Sequence, residues 1–483
     1  MKIWRENPFY WARNGQPVLL LGGSDEDNLF NHPQLWSNLE TLQRCRGNYV
    51  RCTMSSRDEG NVWPYARVGD QYDLDKCNLE YWSRLERFLK LAHERDIVAQ
   101  IEFWATFDFY REQWRRNPFN PALNVNYTIE TTQLVPEWDH HPAEKVQPFF
   151  YSPPALNNDQ VLLGYQQAFV RRVFDSTLPY DNVLYCLDNE TSARPEWAWY
   201  WAELILQEVA RRGKRIHLTE MWDDWDLRGE QHRATHERPD LFSFVDISQN
   251  NWQAGQTHHD RILWMREQLL SSEAGPRPMN NVKVYGRPRP RVAAELSLSL
   301  DRYWQNVFGG CASTRFHRPE SGVGLNETAQ KMVQAARTFT DAFDIFRCSP
   351  RPDLLSDGGE NAAYCLASPG RVYALYFPTG GEVVLHTEGG PFTLRWFDPQ
   401  TSTFRPEELV SGNVVPLRTP DTSHIWLALL EAEETDWAPS GVEPRQCGRG
   451  WIGSACRSVL SWRRTSTRGN GPVPASGTKG VWG

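Results

Sequence analysis

Carboxylates gather where short apolar runs end. Cys186-Leu187-Asp188-Asn189-Glu190 closes one run, Thr219-Glu220-Met221-Trp222-Asp223-Asp224 closes another, and Asp25, Glu102 and Asp246 hold similar places on others. Side chains alternate along a strand, so the period predicts that Asp188 and Glu190 share one face and Asn189 takes the other. Two carboxyls in a dry mouth repel, which raises one pKa and keeps one group an acid while the other stays ionised. Cleavage of a glycosidic bond needs that division, with a proton donor for the leaving oxygen and a second carboxylate as nucleophile or as base for water. Glu190 is the acid/base candidate, against a helix-capping role beside Thr191 and Ser192. Asp188 is a further catalytic candidate, or else the ion-pair partner of Arg51. Glu220 is favoured as the second carboxylate over Asp25, Glu102 and Asp246, and Trp222 beside it offers a ring for sugar stacking. Trp104, Asn189, Asn250, Arg315 and His317 complete the substrate-binding candidates with Asp25, Arg51 and Glu102, and Arg315, His317 and Arg318 bring positive charge to the same rim.

Other chemistries find less support. No His-x-His stands on the first apolar run, so no metal is expected; His217 is read as a core group, and His258 and His259 as residues that cap or solvate a helix start. No GxSxG elbow, P-loop or dinucleotide-binding glycine pattern occurs in context, so no cofactor is expected.

The elements that would hold these residues alternate between apolar runs and amphipathic helices eight times from about residue 17 to 346, which predicts a (β/α)8 barrel, with an open doubly wound sheet as the alternative. Strands are expected over 18–23, 49–54, 97–103, 183–189, 216–220, 242–248, 282–286 and 310–316. One helix puts Trp82, Leu85, Leu89 and Ala92 on a single face, and another follows an Asn326 cap. The segment from Trp104 to Asp159 is far longer than an ordinary connection and rich in aromatic residues, which predicts a wall or cover of a cleft at the barrel mouth, or a plug against its side. After residue 346 short alternating runs separated by Gly, Pro and Asp predict a small antiparallel β-sandwich over 347–434. The last stretch, 435–483, has no hydrophobic periodicity and reads as disordered or as a foreign tail.

Composition bounds the partners. In 483 residues there are 52 Lys plus Arg against 60 Asp plus Glu, a formal charge of −8. Without residues 438–483 the balance is 45 against 59, or −14, so no basic stripe invites nucleic acid. No apolar run approaches the roughly 20 residues of a membrane span. The nine cysteines form no CxxC pair and read as reduced core residues. The start has no secretory pattern, so the chain as given is expected in the cytoplasm, or in the periplasm or outside if the start was trimmed. Twenty-two tryptophans suit both cores and sugar faces, which only raises carbohydrate as a partner; the carboxylates and aromatics expected at the barrel mouth make it the expected substrate. The residues carry no signal for sugar, linkage or oligomeric state.

Several segments resemble a known group. Asn7-Pro8-Phe9-Tyr10 with Pro17-Val18-Leu19-Leu20-Leu21-Gly22-Gly23, Gly47-Asn48-Tyr49-Val50-Arg51 and Asp188-Asn189-Glu190 are similar to the superfamily of family 5 glycoside hydrolases, in its apiosidase-like branch. Tyr373-Ala374-Leu375-Tyr376 and Arg395-Trp396-Phe397-Asp398-Pro399 resemble the collagen-binding-like sandwich that follows such barrels. The resemblance implies a glycosidase with Glu190 as acid/base and Arg51 at the substrate site. It also implies a nucleophilic Glu ending the seventh strand, where this chain reads Val284-Tyr285-Gly286. The alternatives are a glycan-binding protein without catalysis and a polysaccharide lyase.

Overall fold

The structure, a computed structural model, describes residues 1–286 and 296–432. The tail expected over 435–483 lies outside the described residues. Eight parallel strands follow one another around a barrel: β1 (Leu20–Gly23), β2 (Tyr49–Thr53), β3 (Val98–Ala105), β4 (Val183–Thr191), β5 (Leu218–Trp222), β6 (Val245–Asp246), β7 (Met279–Asn280) and β8 (Ser313–Phe316). Six of them form one curled sheet in the order β5-β4-β3-β2-β1-β8, and β6 pairs with β7. A few hydrogen bonds join the two pieces, among them Ser243 N to Leu218 O at 3.1 Å, Ala312 N to Met279 O at 2.8 Å and Val284 N to Arg315 O at 2.8 Å. This is the expected α/β barrel, with shorter sixth and seventh strands than the apolar runs suggested. Serine hydroxyls take the place of ladder partners there: Asn281 N donates to Ser313 Oγ at 3.0 Å and Val282 N to Ser248 Oγ at 2.9 Å. Gly22 is needed in β1 because a Cβ there would stand 1.8 Å from the Tyr49 carbonyl oxygen.

Helices α1 (Leu35–Arg44), α2 (Leu79–Glu94), α3 (Gln160–Thr177), α4 (Pro195–Arg211), α5 (Glu230–His236), α6 (Gly255–Ser271), α7 (Leu296–Phe308) and α8 (Glu327–Thr340) surround the strands. Side-chain caps set several starts, with Asn78 accepting from Glu80 N, Asp159 from Leu162 N and Asn326 from Ala329 N. Buried apolar stripes such as Trp82, Leu85 and Leu89 then face the sheet. At the N-terminal end of the barrel a hairpin, Trp11–Arg13 with Gln16–Val18, closes the base, and Trp11 Nε1 donates to Asn280 Oδ1 at 3.0 Å inside it.

The long connection after β3 is both plug and wall. Phe109, Phe119 and Phe149 pack with Trp104, while Phe150 packs on Trp197. Phe107, Tyr110 and His141 from the same segment reach the barrel mouth.

Beyond the barrel, Tyr364–Ser368, Val372–Phe377, Trp426–Ala432 and Phe392–Asp398 pair antiparallel, opposite a smaller sheet of Leu355–Ser356, Glu382–His386 and Val414–Arg418. Tyr373, Leu375, Val383, Leu385, Trp396 and Trp426 fill the space between them. This region and the barrel cluster as one compact unit. Tyr376 stacks on Trp304 of α7 and donates to Asp301 at 2.8 Å, and Phe339 of α8 meets Phe397 and Phe404. Among the described residues no helix is long and apolar enough to cross a membrane, and all seven cysteines are free.

Candidate active site

A cleft of about 680 Å³ opens at the C-terminal ends of the strands. It is built from the end of β4 (Asn189, Glu190), Asp223 after β5, Gln249 and Trp252 after β6, Lys283 and Tyr285 after β7, and His317 after β8. Glu190 adopts φ +64°, a left-handed conformation rare outside glycine, so strain is held at this position. Its Oε1 accepts three bonds, from Lys283 Nζ at 2.5 Å, Gln249 Nε2 at 2.7 Å and Tyr285 Oη at 2.9 Å. Burial alone would raise the carboxyl, but the charge of Lys283 and these three donors outweigh it and hold Glu190 down at about 2. The Lys283 side chain is itself 1% exposed.

Asp223 stands in the same cleft under opposite influences. Burial, followed by the negative charge of Glu190, pushes it up to about 7, against a smaller pull from Lys283. At neutral pH Glu190 is therefore fixed as an anion, while Asp223 is able to carry a proton. Trp252 Nε1 donates to Gln249 Oε1 at 2.9 Å, so the indole that lines the cleft also orients a donor to Glu190. Tyr285 lies edge-on between Trp252 and His317.

A second charged group sits beside this pair. Asp27 is ringed by Arg51 at 2.9 Å, Arg57 and Arg318 at 3.2 Å each, and His317 at 3.6 Å. Burial would raise Asp27, but the surrounding cations hold it well below the usual carboxylate range. Burial holds His317 well below its ordinary value despite Asp27, so it is a neutral ring.

Of the residues expected at the site, Asn189, Glu190 and His317 line the cleft. The others point elsewhere. Asp188, Glu220, Glu102 and Asp246 are buried inside the barrel, and each keeps one oxygen without a hydrogen-bond partner. Burial raises Asp188 and Asp246 to about 7 and Glu220 well above its usual value. Arg51 is buried and touches Glu102 at 3.3 Å as well as Asp27, rather than Asp188. Asp25 accepts from Asn38 and Leu325 N, Arg315 donates to Val282 O, and Asn250 donates to His258 O. Trp104 belongs to the aromatic plug, and Trp222 donates outward to Thr235 of α5. His258 and His259 correct another expectation: they are buried in α6, with His258 against Asn306 and His259 packed at a tilt on Tyr364, and neither solvates a helix start.

Sequence reasoning missed Asp223, Gln249, Lys283, Tyr285 and Asp27 as cleft residues. The signal available for Asp223 was its place one residue beyond the apolar end of β5. Among the described residues no group of His, Cys, Asp and Glu is arranged to hold a metal ion.

The chain is similar in fold to solved structures of glycoside hydrolases. A glycoside hydrolase family 5 protein from Bacteroides vulgatus ATCC 8482 superposes with a TM-score of 0.61 at 12% identity, over 89% of this chain and 93% of the other. A second structure described as a glycoside hydrolase gives a TM-score of 0.59 at 11% identity, over 90% of this chain and 97% of the other. No protein-family model matches the chain. No curated protein matches it either.

Proposed function

We propose that the protein is a glycosidase in which Asp223 is the proton donor and Glu190 the ionised partner. The observation that carries this reading is the placement of both carboxyls in one cleft, with Glu190 pinned by Lys283 and Asp223 left free of any cation contact as close. Asp223 gives its proton to the leaving oxygen as the glycosidic bond breaks. Glu190 stabilises the positive charge on the sugar ring and either attacks the anomeric carbon or takes the proton of an attacking water. All three bonds to Glu190 fall on Oε1, so Oε2 is the oxygen available for that step. Asn189, whose buried Oδ1 lacks a partner, is suited to accept from a sugar hydroxyl, and Trp252 to stack on a sugar face.

This assignment replaces Glu220 and Asp188 as catalytic groups, because both are sealed beneath the cleft. It reverses the role that the family 5-like pattern implies for Glu190. Lys283 and Tyr285, past β7, stand where that pattern puts a nucleophile, and a cation there converts the Glu after β4 from acid to anion. The fold similarity supports a carbohydrate substrate, and we read plant or microbial poly- or oligosaccharides as the class. The assignment to an apiosidase-like branch rests on the quoted sequence segments. Residues 347–434 are read as an accessory sandwich that caps the barrel formed by 1–346.

The experiment is hydrolysis of aryl pyranosides, aryl furanosides and a polysaccharide panel by wild type, Glu190→Gln and Asp223→Asn. Loss of turnover in Glu190→Gln is expected, and a variant as active as wild type refutes the assignment. Among the described residues that directly follow β7, 281–286, there is no carboxylate, which favours one second reading, glycan binding without hydrolysis. Saturable sugar binding with no product across the panel would establish it.

A further inference from the structure

A second cavity, of about 330 Å³, lies at the opposite end of the barrel from the cleft. The N-terminal hairpin runs there beneath the starts of β1 to β3, with Asn48 just before β2 and Asp96 just before β3. Four arginines line it: Arg13 from the hairpin, Arg46 after α1, Arg95 at the end of α2, and Arg337 from α8. Asp96 is the one acid among the lining residues. Guanidinium groups stay charged at any physiological pH, so four on one small cavity repel each other unless anions answer them.

The protein answers them only in part. Arg13 touches Asp96 at 2.7 Å through Nε, and its side chain is 9% exposed. Its Nη1 is nevertheless buried with no hydrogen-bond partner. Arg46 reaches Asp341 at 2.6 Å. Arg95 lies over the Trp36 ring and donates Nη1 to Leu91 O at 3.1 Å, and its Nε is likewise buried and unpartnered. Arg337 donates to Leu19 O at 2.9 Å; burial lowers its pKa and Arg46 adds to that, while Asp341 opposes. Arg95 and Arg337 thus have carbonyl oxygens but no carboxylate as hydrogen-bond acceptors. A site that spends backbone acceptors on two arginines and leaves two buried N–H groups without acceptors lacks negative oxygen atoms. A tetrahedral oxyanion supplies several at once, in the geometry that guanidinium forks match.

We propose that this basal cavity binds a phosphate-class oxyanion, either inorganic phosphate or the phosphate group of a small monoester. Nothing in this depends on the chemistry assigned to the cleft.

The test is calorimetric titration of the full chain with inorganic phosphate, and separately with a sugar monophosphate, against sodium chloride at matched ionic strength. Saturable binding of either ligand above the chloride control is expected, and the tighter of the two identifies the source. Losing one charge-assisted bond weakens binding about tenfold or more. Arg95→Gln, at a half-buried position, and Arg13→Gln are each expected to show that loss. Arg13→Lys, which keeps the charge and loses the fork, should weaken binding as well. If Arg13→Gln fails to fold, as read by circular dichroism, Arg95→Gln decides alone. No saturable heat above chloride in the wild type, or equal affinity in the wild type and the folded variants, overturns the proposal.

Discussion

Replacing Lys283 with Met tests whether a single cation sets the protonation state of Glu190. In the wild type Glu190 is held at about 2, against 4.5 for an ordinary glutamate, with Lys283 acting both through its charge and through its hydrogen bond. Without the ammonium, burial becomes the dominant influence and the carboxyl moves to 4.5 or above. At ~1.36 kcal/mol per pH unit that displacement is on the order of 3 kcal/mol, in line with the ~3–5 kcal/mol cost of breaking a buried ion pair. At pH 4 the wild-type group is about 99% ionised, whereas one titrating at 4.5 or above is at most about one quarter ionised. The assay is kcat/KM against a chromogenic glycoside from pH 3 to 9, with thermal melts to confirm that each variant is folded. The wild type should show no acid limb above about pH 3, because the group titrating at about 2 is already ionised there. Lys283→Met should acquire one at pH 4.5 or higher, and Lys283→Arg should largely restore the wild-type profile. Lys283 also lowers Asp223 slightly, so the alkaline limb near 7 should move upward in the Met variant. A folded, active Lys283→Met enzyme with an unmoved acid limb would refute the claim that Lys283 keeps Glu190 ionised.

Three further outcomes are expected. Asp223→Asn should lose about 10²- to 10⁴-fold on substrates with poor leaving groups and far less on nitrophenyl glycosides, which need little protonation; equal losses on both would remove Asp223 as the acid. Asp188→Asn should separate from the wild type in stability as pH rises: the folded Asp188 titrates at about 7 rather than 3.8, so the native state holds the extra proton between those values. Wild-type stability therefore falls relative to the variant from about pH 4 to about pH 7, by up to about 4 kcal/mol, and parallel melting curves across that range would contradict the burial argument. Deleting residues 347 onward should expose Trp304, Phe308 and Phe339, which Tyr376, Phe397 and Phe404 now cover, so light scattering should report aggregation and a soluble active barrel would show that the sandwich is dispensable.

The barrel was legible because its strands and helices follow two simple periods, and both depend on burial that the sequence displays directly. The site was harder to read because strand ends abandon the period. Alternation puts Asp188 and Glu190 on the same face, yet Asp188 faces the barrel interior and Glu190 the cleft. Glu190 itself takes a left-handed backbone, φ +64°, where the strand's regular alternation ends. The adjacent strand does the same thing by another route. Its pairing with β4 shifts register between Thr219 and Met221 and again between Met221 and Trp222, and such irregularities re-aim side chains at sheet ends. Glu220 consequently stays inside, Trp222 turns out to Thr235, and the next residue, Asp223, enters the cleft.

The same two distortions explain why the cleft pairs Glu190 with Asp223. Asp188 and Glu220, coupled by charge, remain buried carboxyls with no cation in hydrogen-bond contact, and burial raises both. Neither is held as an anion by a cation, whereas breaking a glycosidic bond divides the work between a proton donor and an ionised partner. Twisting the strand ends moves one carboxyl from each strand into the cleft, where Lys283 lies within 2.5 Å of Glu190 while its charge on Asp223 is outweighed by burial and Glu190. Lys283 is thus the residue that divides the pair. On the proposed reading, the segment after β7 contributes a cation where the family 5-like pattern has a carboxylate, and the pH range over which Glu190 is ionised should depend on it.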